Sequence, residues 1–266
     1  MKSLIGVFDS GVGGLSVAKA VIELLPDESL LYVADTAYAP YGDKSAELIY
    51  QRMAAISAYL QQQGAKAIVV ACNTATTAAI AQLRAEFNLP IIGVEPGIKP
   101  AVQLSRSGVI GVLATPRTIQ NPAFAALASR VAGNSNVIMQ PCAELVAEIE
   151  ALRLDSALMY SLLRRYIAPL IAQGADTLVL GCTHYNFIAE QIAQVATELA
   201  GSQLNIIRTE QAVAHELKRR LAQAGLLATE RTENIERFVT KVPDTLTVLT
   251  LENEQKIDKK EIKYGI

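Results

Sequence analysis

Two of the three cysteines in this chain, Cys72 and Cys182, have the sequence surroundings of reactive thiols. Each follows a short apolar run and precedes polar side chains, Asn73-Thr74 in one case and Thr183-His184 in the other. A thiol at the carboxyl end of a buried strand and the start of a helix is favoured as a thiolate by backbone N–H groups. A lone cysteine there usually packs as a small apolar side chain. Two in matching surroundings point instead to a pair that exchanges protons with a bound molecule.

The surroundings of the two cysteines also match as sequence. Residues 63–72 and 173–182 align without a gap, and each segment ends in its cysteine, 110 residues apart. A second match, Ile5–Phe8 with Ile110–Leu113, is offset by 105 residues. Two matches in the same order predict two structurally similar halves with the cysteines at equivalent places. If the halves face each other, one thiol removes a proton from a carbon stereocentre while the other donates one from the opposite side.

Other polar clusters follow predicted strands, and each has a simpler interpretation. Residues 9–14 lack the third glycine of a dinucleotide fingerprint and the Gly-Lys-Ser/Thr ending of a P-loop. They either contact a ligand or form a tight turn in which Asp9 or Ser10 caps a helix. Tyr41 either packs or contacts a ligand. Cys142 has no partner in the repeat and is interpreted as packing, and His215 as a solvated side chain.

Short apolar runs alternate with amphipathic stretches, the pattern of βαβ units around a parallel sheet. The predicted strands are Leu4–Phe8, Leu30–Ala34, Ala67–Ala71, Ile91–Val94, Val109–Ala114, Val137–Met139, Thr177–Leu180 and Leu204–Ile207. The predicted helices are Leu15–Leu25, Ser45–Gln63, Asn73–Phe87, Asn121–Val131, Ser156–Ala172, one after His184, and Glu210–Ala224. The charged tail beyond about Arg231 is expected to be irregular.

We therefore predict an α/β fold with two similar parallel-sheet domains related by pseudo-symmetry and the active site in the cleft between them. The first domain is expected to be discontinuous, residues 1–96 with about 208–266, and the second to span 97–207. Ligands of parallel α/β sheets bind outside the carboxyl ends of the strands. Both cysteines are predicted at such ends.

The composition excludes several classes of function. The 266 residues carry a net charge of −2 and no Trp, so neither the basic surface nor the stacking residues of a nucleic-acid-binding protein are supplied. No apolar run approaches the roughly 18 residues of a membrane-spanning helix. The cysteines form no disulfide framework, zinc-site pattern or Cys-x-x-Cys redox motif. We expect a cytoplasmic protein, because free thiols stay reduced there.

Taken together, the motifs resemble those of glutamate racemase, in the aspartate/glutamate racemase superfamily. The similarity runs in order over about residues 4–225 and rests on four segments: residues 8–14, residues 34–35 with 40–42, residues 71–75 and residues 181–185. The resemblance implies racemisation of glutamate without pyridoxal phosphate, another cofactor or a metal. It also implies supply of D-glutamate to peptidoglycan, and thus to the cell wall and cell shape, and a homodimer of two-domain subunits.

The resemblance further implies roles for individual residues. Cys72 and Cys182 are expected to be the acid/base catalysts, with Asp9, Glu150 and His184 tuning the thiols. The residues expected to surround the substrate are Asp9, Ser10, Tyr41, Gly42, Asn73, Thr74, Thr118, Thr183 and His184.

Some positions depart from the family pattern. Asn121 stands where Ser is usual, Asn186–Ile188 replaces Pro-Leu-Leu, and Arg208-Thr209 replaces Asp-Ser. None of these changes removes a thiol. Two alternatives stay open: racemisation of aspartate or another amino acid on the same scaffold, and an amino-acid-binding protein without turnover.

Overall fold

The computed structural model describes residues 3–228, 237–242, 245–252 and 256–262. The chain forms two compact units. The first comprises the described residues of Met1–Val94 and Glu210–Ile266, and the second is Glu95–Thr209. The chain therefore passes from one unit to the other twice, after Val94 and after Thr209.

In the described part of the chain the strands are β1 Leu4–Asp9, β2 Ser29–Ala34, β3 Ala65–Val70, β4 Ile91–Gly93, β5 Val109–Ala114, β6 Asn136–Pro141, β7 Thr177–Leu180, β8 Asn205–Ile207, β9 Arg237–Val242, β10 Thr245–Glu252 and β11 Lys256–Ile262. The α-helices are α1 Leu15–Leu24, α2 Ala46–Gln62, α3 Asn73–Glu86, α4 Ile98–Leu104, α5 Pro116–Gln120, α6 Pro122–Ala132, α7 Leu145–Glu150, α8 Ala157–Ala172, α9 Ala189–Ala200 and α10 Glu210–Gln223. Three 3-10 helices occupy Thr36–Tyr38, Tyr41–Asp43 and Thr183–Ile188. No described helix is long and apolar enough to cross a membrane.

The sheet of the first unit has the strand order β11-β10-β9-β2-β1-β3-β4. Strands β9, β2, β1, β3 and β4 run parallel to one another, and β10 and β11 extend the sheet beyond β9 in antiparallel pairing. The expectation of an irregular tail is therefore wrong for 237–242, 245–252 and 256–262, while the other residues beyond Arg231 lie outside the described part of the chain. The physical reason is that β2 offers an edge for pairing and Thr245–Glu252 is rich in strand-forming residues.

The sheet of the second unit repeats the central order of the first. Its order is β6-β5-β7-β8, all parallel, which corresponds to β2-β1-β3-β4. The register also repeats: Val7 lies opposite Val69 in the first sheet, and Val112 opposite Val179 in the second. The internal repeat read from the sequence is thus present in strand order and register. The predicted class of two parallel-sheet α/β units is confirmed.

Helices on both faces of each sheet bury the central strands, which explains their continuous apolar sequences. In β1, Ile5 and Val7 belong to one core cluster, while Leu4 and Phe8 belong to another on the opposite face. In the second sheet, Val179 and its neighbours Leu178 and Leu180 divide in the same way between two clusters. Packing on both faces therefore holds the central strands in place, and with them the polar residues that follow each strand.

Helices α4, α5 and α7 are absent from the sequence prediction. Each has seven residues or fewer, too short to show a helical period in a sequence window. The helix expected after His184 begins at Ala189, because a 3-10 helix over Thr183–Ile188 comes first. The remaining predicted elements lie within two residues of the observed bounds.

Candidate active site

Cys72 lies between β3 and α3, as the sequence predicts. It is the N-cap residue of α3, and its Sγ accepts a hydrogen bond from the Ala75 N–H at 3.5 Å. The side chain is nearly buried, with 5% exposed. Since the sulfur takes the usual place of a capping oxygen, it lies against unsatisfied N–H groups of a 14-residue helix. This environment stabilises negative charge on sulfur.

The loop after β1 lies at the same carboxyl edge, because β1 is the direct neighbour of β3. The Ser10 Oγ is 3.8 Å from the Cys72 Sγ, and both side chains are buried. Asp9 is fully buried, and its Oδ2 accepts a hydrogen bond from the Gly14 N–H at 2.8 Å, at the start of α1. Of the two roles left open for this loop, the helix-start role is therefore present for Asp9, while Ser10 contacts the thiol.

Tyr41 and Gly42 lie on the 3-10 helix Tyr41–Asp43, which contacts α3. The Tyr41 ring is buried in the same core cluster as Cys72. Its hydroxyl donates to the Asp35 Oδ2 at 2.7 Å. Burial, with Asp35 and the Cys72 thiol nearby, raises the pKa of Tyr41 well above its ordinary value. The hydroxyl is therefore a hydrogen-bond donor and takes no part as a base.

Asn73 and Thr74 form the first turn of α3 and are both buried. Within the described residues, the Asn73 Oδ1 and Nδ2 have no hydrogen-bond partner, although the residue is only 2% exposed. An unsatisfied buried amide costs about 1–3 kcal/mol. Such a side chain is satisfied when a ligand supplies both a donor and an acceptor.

In the second unit, Cys182 follows β7 at the position equivalent to Cys72 after β3. It is 7% exposed and precedes the 3-10 helix Thr183–Ile188. The sequence predicts a helix directly after Cys182, and Cys182 is the N-cap residue of the 3-10 helix Thr183–Ile188, whereas Cys72 caps an α-helix. The two thiols thus occupy equivalent strand ends but have different electrostatic surroundings.

A chain of contacts joins Cys182 to a carboxylate. The Cys182 Sγ is 3.8 Å from the His184 Nδ1, and the His184 Nε2 is 2.6 Å from the Glu150 Oε1. His184 is buried, whereas a quarter of the Glu150 side chain is exposed. A carboxylate on one ring nitrogen leaves the other nitrogen to exchange a proton with the sulfur. The structure therefore brings together three of the five residues expected to be catalytic.

The end of α7 places Glu150. This short helix stops at Glu150, and Leu152 follows with a φ of 57°. The Leu152 N–H donates to the Ile149 carbonyl, and Arg153 forms two hydrogen bonds of 2.7 Å with the Glu148 carboxylate. A leucine in the left-handed region is uncommon and stores strain.

The other predicted residues of the second unit lie at or near the carboxyl edge of its sheet. Thr183 is buried next to Cys182, and Thr118 is buried on α5, its hydroxyl 2.9 Å from that of Thr115. Thr115 follows β5, the direct neighbour of β7. Both hydroxyls therefore lie on the segment after a central strand, where α/β folds bind ligands.

Two contacts beside the thiols were missed by sequence reasoning. The buried Tyr185 hydroxyl donates to the Cys142 carbonyl, which joins the chain after β7 to the chain after β6. Cys142 itself is fully buried, as its predicted packing role requires, and burial raises the pKa of its thiol. In the first unit, Arg52 on α2 pairs with Asp35. The sequence signal for Arg52 is its charge next to Met53, a buried apolar position of α2.

No group of three or more His, Cys, Asp or Glu side chains suited to a metal ion occurs in the portion of the chain that the structure describes. The three cysteines are free thiols.

Comparison with known proteins places the chain among amino-acid racemases. The family model for Asp/Glu/Hydantoin racemase matches residues 5–207. The glutamate racemase of Methylococcus capsulatus is 51% identical over 239 residues, 90% of this chain and 87% of the relative.

Two solved structures are also similar over most of both chains. Glutamate racemase of Escherichia coli, in complex with L-glutamate and the activator UDP-MurNAc-ala, is 32% identical with a TM-score of 0.81, covering 91% of this chain and 90% of its own. Glutamate racemase of Francisella tularensis, in complex with D-glutamate, is 31% identical with a TM-score of 0.78, covering 91% and 89%. These findings confirm the resemblance stated from the motifs and the expectation of an amino-acid racemase, an isomerase. The chain belongs to the Asp/Glu/Hydantoin racemase family.

Proposed function

We propose that this chain racemises glutamate by moving the Cα proton between the Cys72 and Cys182 thiols without a cofactor. The observation that carries the proposal is the repetition of one strand order, one register and one cysteine position in the two units. Inversion of a stereocentre needs a base on one side of the carbon and an acid on the other. Two equivalent thiols suit both directions, because the reverse reaction exchanges their roles.

The surroundings of Cys72 suit the thiolate state. The Ala75 N–H points at the sulfur, and the start of α3 contributes the positive end of its dipole. The Ser10 hydroxyl is close enough to donate to the same sulfur. This thiol therefore gains charge stabilisation from fixed donors, which need no reorganisation during the reaction.

The surroundings of Cys182 suit proton delivery. With Glu150 on its Nε2, His184 either accepts the thiol proton at Nδ1 or, once protonated, donates to the thiolate. The carboxylate stabilises the imidazolium in the second state, as in other His–carboxylate pairs. One thiol then relies on a helix terminus and the other on a His–Glu pair.

Substrate recognition is proposed to come from neutral donors rather than from arginine. The unsatisfied amide of Asn73 is the best-supported contact, and Thr74, Thr183 and Thr118 supply further buried polar groups. Ser10, Tyr41 and Gly42 complete the set. Bound glutamate would satisfy the Asn73 amide and thereby offset the cost of its burial.

The wider role follows the same proposal. We propose that the D-glutamate formed is used in peptidoglycan, in the cytoplasm, and that the protein acts as a homodimer. A thiol mechanism needs a reducing compartment, because oxidised cysteines exchange no protons. Growth of a D-glutamate-requiring bacterium on expression of this chain tests the first point, and light scattering at several protein concentrations tests the last. Failure to restore growth despite racemisation in vitro would contradict the peptidoglycan role.

The deciding experiment is proton NMR of L-glutamate, and separately of D-glutamate, with the purified protein in D₂O and no added cofactor. We expect loss of the Cα proton signal with appearance of the opposite enantiomer in chiral analysis. Aspartate under the same conditions tests the first alternative and is expected to exchange far more slowly. Saturable glutamate binding without Cα exchange, in folded protein with reduced thiols, would contradict the proposal and support a binding protein.

A further inference from the structure

A buried ion pair lies beside the Cys72 site without belonging to the proton chemistry. Asp35 follows β2 and is fully buried. Its carboxylate accepts the Tyr41 hydroxyl at 2.7 Å and two Arg52 hydrogen bonds of 2.8 and 2.7 Å. Its backbone N–H donates to the Asp9 carbonyl at 2.9 Å. Asp35 thus ties together the loop after β1, the 3-10 helix of Tyr41 and helix α2.

Arg52 is the only cation among the described contacts that compensates this buried charge. Its guanidinium also stacks 4.1 Å from the centre of the Tyr38 ring. The hydrogen bonds with Asp35 raise the pKa of Arg52 above its ordinary value. A planar fork that binds a carboxylate at two points and stacks on an aromatic ring has a fixed orientation, which an ammonium group cannot reproduce. Through Arg52, helix α2 therefore holds residues 35–41 in place.

We propose that Arg52 is a positioning residue for the Cys72 site, acting through Asp35 to hold Tyr41 against the thiol. The Tyr41 ring lies in the same buried core cluster as Cys72, whose side chain is 5% exposed. Gly42 follows directly on the same 3-10 helix. Displacement of Arg52 would therefore move both a wall of the thiol site and a proposed substrate contact. The kinetic part of this inference rests on the proposed function, whereas the thiol part does not.

The test uses Arg52→Lys, which keeps the positive charge but loses the fork and the stacking. The matched control is Arg219→Lys on α10, where Arg219 makes the same two-point contact with Glu216 on the surface of the same unit. Tyr41→Phe is the second variant, because it removes the hydroxyl and leaves the ion pair. Circular dichroism and thermal unfolding establish that all variants are folded.

The first readout is the rate of iodoacetamide alkylation at each cysteine, resolved by mass spectrometry of peptides. We expect Arg52→Lys and Tyr41→Phe each to accelerate alkylation of Cys72 by about tenfold and to leave Cys182 unchanged, since a buried thiol reacts according to its access. Arg52→Lys is expected to add little in the Tyr41→Phe background, because both act through one chain of contacts. The Arg219→Lys control is expected to match the parent.

The second readout is the kinetics of racemisation in both directions. KM is expected to rise by about tenfold for L- and D-glutamate with a smaller change in kcat, the pattern of a lost binding contact. Equal acceleration at both cysteines, no acceleration, or additive effects of the two variants would overturn the positioning role. If the parent does not racemise glutamate, the proposed function fails while selective alkylation of Cys72 still supports the inference.

Discussion

At the residue scale, the two cysteines occupy equivalent backbone positions with unlike partners. Cys72 faces the N–H groups of α3, whereas Cys182 contacts the His184 ring. In the proposed mechanism the protein can tune the two thiols separately, although the enantiomers have equal free energy and the equilibrium constant is therefore one. The proposed mechanism predicts distinct defects when each thiol is removed.

Replacement of either thiol tests this directly. Cys72→Ser and Cys182→Ser are each expected to lower kcat in both directions by at least about 10²–10⁴, because a hydroxyl is a far weaker acid. Each variant is expected to keep slow Cα exchange in D₂O with one enantiomer, and the two variants with opposite enantiomers. Cys142→Ser is the control and is expected to racemise glutamate like the parent once folded. Retention of both directions in either single variant would contradict the two-thiol mechanism.

The Glu150 carboxylate is expected to act through His184. Glu150→Gln keeps a hydrogen-bonding group near the ring but removes the charge that stabilises the imidazolium. We expect kcat/KM to fall by about 10- to 100-fold and equally for L- and D-glutamate, because Cys182 is the base in one direction and the acid in the other and the equilibrium constant stays at one. Glu144→Gln, an exposed glutamate at the start of α7, is the matched control. Unchanged kinetics for Glu150→Gln would contradict the proposed role of Glu150 in proton transfer at Cys182.

At the element scale, the close approach of central strands sets where the second thiol lies. A Cβ on Gly181 would lie 2.9 Å from the Leu113 carbonyl oxygen and from the Ala114 Cβ. The equivalent residue of the first unit is Ala71, for which Gly14 leaves space, since a Cβ there would lie 2.9 Å from the Ala71 Cβ. Each unit therefore has one glycine where the segments after neighbouring central strands approach closely, Gly14 in the first unit and Gly181 in the second.

Gly181→Ala is expected to shift the backbone directly before Cys182. Overpacking of this kind typically costs about 1–3 kcal/mol, and a displaced thiol lowers kcat by more than tenfold because acid–base geometry is stringent. The comparison is Gly111→Ala, whose Cβ would meet the mobile ends of Leu170 and Leu178 instead of backbone. Urea unfolding and racemisation kinetics measure both variants. Equal activity loss in the two would contradict the role given to the Gly181 crossing.

At the scale of the whole molecule, a charged residue anchors the start of each strand that is followed by a proposed catalytic cysteine. Lys66 at the start of β3 pairs with the buried Glu28 at 2.6 Å, and Glu28 also accepts the Ala228 N–H. The equivalent residue before β7 is Asp176, which accepts hydrogen bonds from Ser105 and from the turn before β5. Residues of opposite charge at equivalent positions thus anchor the starts of β3 and β7.

The pKa of Asp176 predicts that the free energy of unfolding depends on pH in the acidic range. Burial alone would raise its pKa, but hydrogen bonds from Ser105, the Ser107 and Arg106 N–H groups and Thr177 outweigh it and hold the pKa at about 2, below the ordinary 3.8. A lowered pKa in the folded state stabilises the fold above the ordinary value, and this contribution disappears as the pH falls through about 2.

We therefore expect Asp176→Asn to lower the free energy of unfolding at pH 7 and the difference from the parent to shrink between about pH 4 and pH 2. Urea unfolding at several pH values measures it. Asp155→Asn, which removes an exposed carboxylate bonded to Gln191 in the same unit, is the control. A difference that persists unchanged at pH 2 would show that the Asp176 charge is not responsible.

The sequence by itself determined the strands, the repeat and the two catalytic candidates, because buried parallel strands and the residues after them follow local rules of composition and period. Only the tertiary structure decided which side chains meet: Glu150 with His184, and Arg52 with Asp35, are contacts across 34 and 17 residues that no local pattern encodes. The strands of the tail escaped prediction for the same reason, since a strand at an edge depends on the partner it pairs with. The 3-10 helix that separates Cys182 from α9 is not predicted from the sequence, whereas a helix that begins after Cys72 is. Local sequence rules thus identified the thiols and the polar residues next to them, and long-range packing decided which distant residues, such as Glu150 and Arg52, support each site.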